Sequence, residues 1–498
     1  MCYYQTIKTR KEDCRMRKPC GKLHKIPAVG LAVLLLCCAP AAGCGKYEQT
    51  APLPERTDEM PESTESSESA GEAAPEDQEG AFCFDPDLAY FVYSDKMIFV
   101  DEDQAREQGR DILTLQLSFL DSLMKSCVDY FNSHNDDYYI AVQEIGFGEA
   151  LSTCRERTLV ELIAGRGPDI FEGDTFLTVT QSILDKGALM DLAPLLDGLG
   201  ITDEKYFPAV RALADGTHVY GLSTHVYPCT YSILESVLGS REQPDIETLV
   251  DRLYSYPDQT AVWWKGAPYY LVLEYLLSGS EDLRGTIDWE TGRCDFTGEF
   301  FAKVLEVTKR YGDPERNGQT AVVYSYEPGR DSREEFASEG KVILDFPFDD
   351  GWFPYCSNIH TLMVNANTKY PEGVQAFIKF LLGPVGQTYF ADGSTCSLPV
   401  NREMAASYKA WQLKENQEGS LPLLRIENGV SVEYSMTEEL IDELMDYTNQ
   451  ARYLPLKTEE IMTIINEEAY LFFTGDKPLE MVIDLIQNRV QLYLDEHM

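Results

Sequence analysis

The sequence predicts an α/β protein with mainly parallel sheet, and three observations carry that class. Between Asp111 and Phe171, strand-like and helix-like patterns alternate, the order that builds a parallel sheet with right-handed crossovers. At 498 residues and 44% apolar content, the chain is expected to hold two to four domains. Beyond about residue 220 the text turns helix-rich, returns to strand-like runs at "KVILDFPF" and "HTLMVN", and ends in helices.

The N-terminal region reads as a secretory signal. Lys8, Arg10, Lys11, Arg15, Arg17, Lys18, Lys22 and Lys25 precede the apolar run "IPAVGLAVLLLCCAP", Ile26 to Pro40. That run is shorter than the roughly 20 residues a membrane-spanning helix needs. It ends in "AAGC", Ala41 to Cys44, which resembles the lipobox of bacterial lipoproteins. In that box the cysteine is lipidated, and Leu usually stands where this chain has Ala41. Cys44 is therefore the expected lipidation site; an uncleaved signal anchor is the other reading.

Residues 45–80 hold eleven Asp or Glu against one Lys and one Arg. Rich in Pro, Glu and Ser, they cannot bury enough apolar surface to order themselves, so an extended acidic tether is expected. The formal net charge of the whole chain is −41, which argues against nucleic acid and anionic membrane surfaces as partners. Thirteen cysteines occur, seven of them after Cys44, widely spaced and without a C-x-x-C pair. That spacing is neither a disulfide framework nor a zinc site, and small core residues are expected instead.

The folded body begins near Ala81. "AYFVYSDKMIFVD", residues 89–101, predicts a hairpin. "DILTLQLS" alternates like a strand, and Leu120, Leu123, Met124, Cys127, Val128 and Phe131 then recur at helical spacing. "YYIAVQEIG" is a second strand, Leu159 to Ile163 belong to a second helix, and "DIF" is a short third strand. In "GRGPD" between them, Gly supplies positive φ and Pro stops the helix. Ligands of such sheets bind beyond the carboxyl ends of the strands, which puts Glu172 and Asp174 at a candidate site. Toward the C-terminus, Ser435 and Glu438 form a capping box, and "TEEIMTIINEEAYLFF" and "PLEMVIDLIQNRVQLYL" are amphipathic helices.

Six phrases in order resemble the extracellular solute-binding proteins of ABC importers, of the carbohydrate-binding type. They are "CVDYFNSHNDDYYIAVQEI", "LIAGRGPDIF", "DGTHVYGLS", "CDFTGEFFAKVLEVTKRY", "VQAFIKFLLGPVGQTYF" and "IINEEAYLFFTGDKPLEMVIDLIQNRVQLYLDE". The resemblance implies a periplasmic-binding-protein-like fold: two lobes, each a mainly parallel sheet flanked by helices, joined by hinge strands. It implies a signal peptide over 1–44, a tether over 45–80, a first lobe of 81–221 plus 345–400, and a second of 222–344 plus 401–498. It also implies a lipid-anchored monomer on the extracellular face of the cell membrane that passes a small molecule to ABC permease subunits. A lipoprotein presenting ligand to a membrane sensor would use the same cleft.

Sugars offer apolar ring faces and many hydroxyls, so their sites need aromatic platforms with planar polar partners. The candidates are Tyr227, Trp263, Trp264, Trp352 and Tyr355, with Glu172 and Asp174. Asp349 and Asp350 precede Trp352 in "DDGWFPYCSN". A secreted glycosidase would also set carboxylates in a sugar cleft, at a separation sequence does not give. The chain has no G-x-S-x-G, no H-E-x-x-H and no P-loop Lys. Its six His form no pair at helical spacing, and "DEDQAREQG" fails the EF-hand pattern. No catalytic residue, cofactor or metal is expected.

Overall fold

The computed structural model describes residues 82–86, 99–145, 149–173, 181–240, 242–258, 260–263, 266–316, 318–325, 340–357, 361–391, 398–419, 423–427, 430–434 and 436–498. Cys44, Asp174, Trp264 and nearly all of the hairpin expected over 89–101 lie outside these residues.

A six-stranded sheet forms one half of the body. Its order is β2 (Tyr138–Glu144), β1 (Asp111–Leu117), β3 (Ile170–Glu172), β12 (Leu362–Val364), β5 (His218–Leu222) and β4 (Arg211–Asp215). β1 pairs parallel with β2 and β3, as the alternation of patterns predicts, while β12, β5 and β4 join antiparallel. Leu113, Leu115 and Leu117 point to one face of β1 and are fully buried. They meet α1 (Ser122–His134), which buries Met124, Cys127, Val128 and Phe131. Asp121 caps that helix, accepting from the Met124 N–H at 2.7 Å. On the other face α2 (Glu149–Ile163) sends Leu162 against Phe171 of β3 and Met363 of β12. α2 ends where Gly165 and Gly167 take φ of +70° and +102°, the turn that "GRGPD" requires.

The second half is helical around a smaller sheet. The long strand β6 (His225–Leu234) pairs antiparallel with β7 (Val322–Ser325), β8 (Lys341–Ile343), β11 (Tyr355–Ser357) and β13 (Leu398–Pro399). β9 (Phe346–Phe348) and β10 (Gly351–Phe353) form a hairpin. α3 (Ile246–Ser255), α4 (Tyr269–Leu277) and α5 (Glu299–Tyr311) pack here. α6 (Pro371–Leu382), α7 (Pro384–Ala391) and α8 (Arg402–Gln417) pack on the first half instead. A further hairpin, β14 (Leu423–Glu427) with β15 (Val430–Tyr434), leads to α9 (Glu438–Gln450). α10 (Glu459–Phe473) and α11 (Leu479–His497) close the second half. Among the described residues the second sheet is antiparallel, so mainly parallel pairing belongs only to β1, β2 and β3.

The two largest apolar cores are separate, and they make this a two-lobed molecule. One gathers β1, α1, α6, α7 and Ala405 of α8. The other gathers Tyr231 and Ile233 of β6 with α4, α5, α10 and α11. The division differs from the sequence expectation at two places. Phe346 lies in the second core, with Trp352 packed against it, so 345–355 belongs to the second lobe. Ala405, Leu444, Met445 and Ala451 pack on the first core, so α8 and α9 pack with the first lobe. Ser435 lies outside the described residues; α9 starts at Glu438 with Thr437 as its cap, accepting from the Leu440 N–H at 3.2 Å.

Candidate site at the lobe junction

The chain passes between the lobes three times. β6 carries Val226 in the first core and Tyr231 in the second. β11 returns, with Tyr355 against the second core and Cys356 in the first. The third passage runs from Ala451 in the first core to Leu454 against the second. Backbone bonds lace the three together: the Cys356 N–H donates to Arg452 O at 2.7 Å and the Arg452 N–H to Pro354 O at 2.9 Å. Cys356 lies opposite Pro228 of β6.

The passages leave the first sheet at a defined end. β5 runs into β6 from Leu222, which bridges Leu362, and Leu362 lies opposite Glu172, the last residue of β3. The carboxyl ends of β1 and β3 therefore face the second lobe, where ligands of open α/β sheets bind. Phe119, the second residue after β1, is 40% exposed. Glu172 is 2% exposed and turned inward: its carboxylate accepts the Ser118 N–H at 2.8 Å and the Ser118 hydroxyl. Through that one oxygen, Oε2, it braces the β1 and β3 ends.

The aromatic candidates divide. Tyr227, on β6, is half-buried, its ring edge-on to His225 at 5.0 Å. Tyr355, on β11, is half-buried and stacked on Phe346 at 5.4 Å. Both sit on passages between the lobes. Trp263 does not: it is fully buried in the second core, edge-on to Tyr275 at 5.2 Å. Trp352 is half-buried on that core, its indole N–H donating to Pro244 O at 3.0 Å, so it fastens the β9–β10 hairpin within the second lobe. Asp349 pairs with Arg284 at 3.1 Å and Asp350 with Arg452 at 2.6 Å.

Sequence reasoning passed over the third passage. Arg452 lies 3.4 Å from the Phe353 ring centre, and Tyr453 OH meets Ser223 Oγ at 2.7 Å and donates to Ala209 O at 3.0 Å. "ARYLPL" is too short for a period of either kind, so only its aromatic and basic content marks it. Cys127 and Cys356 are core residues: burial pushes their thiols well above the ordinary range.

A cavity of about 590 Å³ lies apart, between α2 and the β1–β2 edge, lined by Thr114, Gln116, Gln143, Glu144, Arg157 and Thr158 among others. Its polar floor is tied by the Thr158 hydroxyl, which donates to Gln116 Oε1 at 2.9 Å. Among the described residues no His, Cys, Asp and Glu gather as a metal cluster, and no helix is long and apolar enough to cross a membrane.

Two α/β lobes, three short passages and strand ends turned to the junction define a hinged two-lobe fold. No family model and no curated protein matches the chain. Among solved structures it is similar to the sugar-binding protein MalE from the phytopathogen Xanthomonas citri, at 16% identity and a TM-score of 0.49, over 77% of this chain and 98% of that one. It is similar to the cyclic alpha-maltosyl-1,6-maltose binding protein from Arthrobacter globiformis, at 14% and 0.48, over 78% and 100%. The GacH receptor of Streptomyces glaucescens gives 12% and 0.46, over 78% and 99%.

Proposed function

We propose that this chain is an extracellular solute-binding lipoprotein that captures a small solute, a sugar or oligosaccharide, between its lobes and delivers it to an ABC permease. The observation that carries the reading is the attachment of all three passages at the carboxyl end of β1 and β3. A solute there touches both lobes only when they close, so it favours closure by its differential contacts. Tyr227 and Tyr355 supply ring faces at the junction, with Asp174 and Trp264 as further candidates. The protein binds without turnover.

A thermal-shift screen over sugars, amino acids and polyamines, followed by calorimetry, tests this. A ligand at 100 times its Kd adds about 2.7 kcal/mol to folding. No shift with any sugar, beside a clear shift with another class, would replace the solute; product accumulating from a hit would replace binding by catalysis.

Two expected results follow from named residues. Tyr227→Ala should weaken solute binding by about 10–100-fold, the scale of one large apolar contact, with little loss of stability. Unchanged affinity would remove Tyr227 from the site. Cys44→Ala should move the protein from the membrane fraction to the soluble one; retention of that variant would mean anchoring by another segment.

A further inference from the structure

One buried carboxylate joins the lobes beside the first passage, where Thr230 of β6 contacts it. Asp345 lies between β8 and β9, 8% exposed, with φ of +48°. Non-glycine residues rarely hold that conformation, and where they do the surroundings must over-determine it. The surroundings here are hydroxyls. Thr230 Oγ1 donates to Asp345 Oδ1 at 2.7 Å, and the Tyr447 hydroxyl donates to the same oxygen. Tyr275 OH donates to the Asp345 backbone carbonyl at 2.8 Å. All three donors are buried.

The donors do not come from one body. Tyr275, Leu344 and Phe346 lie in the second core, and Thr230 directly precedes Tyr231 of that core. Tyr447 rides on α9, whose Leu444 and Met445 pack on the first core. α9 is also tied to first-lobe α8, where Asn416 Oδ1 accepts the Met436 N–H at 2.9 Å. We propose that the Tyr447–Asp345 hydrogen bond is a latch between the lobes that sets which lobe arrangement the solute-free protein populates. Thr230 and Tyr275 hold the carboxylate in place within the second lobe, and Tyr447 reads its position from the first. A hydrogen bond to a buried charge is strong because the displaced water cannot replace it. Its loss shifts the balance away from any arrangement that makes it.

The test compares two hydroxyl deletions on one carboxylate. Spin labels on bio-orthogonal residues at Asp197 and Glu299, one exposed site on each lobe, report the distance between lobes. Tyr447→Phe should change the ratio of lobe arrangements by about tenfold, the usual scale for a hydrogen bond to a charge. Thr230→Val removes a donor inside the second lobe and should leave the distance distribution as in the unaltered protein. Asp345→Asn keeps the shape with a weaker acceptor and should fall between, which covers the case of a poorly folding Tyr447→Phe. Identical distributions in Tyr447→Phe and the unaltered protein, or equal shifts in Tyr447→Phe and Thr230→Val, would overturn the latch. Solute affinity should move by the same factor, because apparent affinity scales with the competent population. That second readout alone rests on the solute-binding reading, so the distances judge the latch even where no solute is found.

Discussion

Trp263→Ala is expected to destabilise the second lobe by about 3–5 kcal/mol, the range for deleting a buried aromatic side chain. The ring is fully buried, edge-on to Tyr275 at 5.2 Å and Tyr311 at 6.4 Å. The backbone around it is fixed as well: its N–H donates to Tyr311 O at 2.9 Å and its carbonyl accepts the Val322 N–H at 2.8 Å. The surrounding wall is thus tied to α5 and β7 and cannot collapse to fill the void, which puts the cost toward the upper end. Chemical denaturation followed by a probe in the second lobe measures it, since two lobes need not unfold as one. Affinity for a solute, measured on the folded fraction, should not change. A variant with intact stability and lost affinity would instead put the ring at the junction.

This residue shows what the sequence withholds. "AVWWKGAPYY" has the aromatic density of a sugar platform, yet aromatic residues build cores and sites alike. Which use applies depends on what the third dimension brings alongside, here Tyr275 and Tyr311, 12 and 48 positions later in the chain. Periodicity was the more legible signal. The 3.6-residue recurrence of Met124, Cys127, Val128 and Phe131 matches the buried face of α1. The alternation in "DILTLQLS" matches the three buried leucines of β1. Lobe membership after residue 345 was not legible, because crossing strands are short and apolar on both sides of the junction. "KVILDFPF" reads as one strand, but Asp345 at positive φ breaks it in two, β8 paired with β6 and β9 paired with β10. Glu172 was placed correctly at the strand end; its inward turn depends on Ser118, 54 residues earlier.

Gly279→Ala is the second change with a large expected effect, about 3 kcal/mol or more, at the upper edge of overpacking costs. Gly279 follows the end of α4, and a Cβ there would stand 1.9 Å from the Pro347 carbonyl oxygen and 3.2 Å from the Phe346 ring. The obstacle is backbone, so no side-chain rotation relieves it. Nor is β9 free to retreat. The Arg284 guanidinium donates to the same Pro347 oxygen at 2.7 Å, and Asp349 at the hairpin tip accepts from Arg284 at 3.1 Å and from the Glu281 N–H at 3.0 Å. Pushing β9 from α4 would break these bonds and strain the pairing of Pro347 with Trp352. It would also displace Asp345, two residues before Pro347, so the distance between lobes should change along with stability. Gly340→Ala is the matched control. Gly340 has φ of +69° with nothing near its absent side chain, so alanine meets only the backbone penalty of about 1–2 kcal/mol. Equal losses in the two variants would mean that close approach at Gly279 carries no cost of its own, and that α4 and β9 are not clamped together in solution.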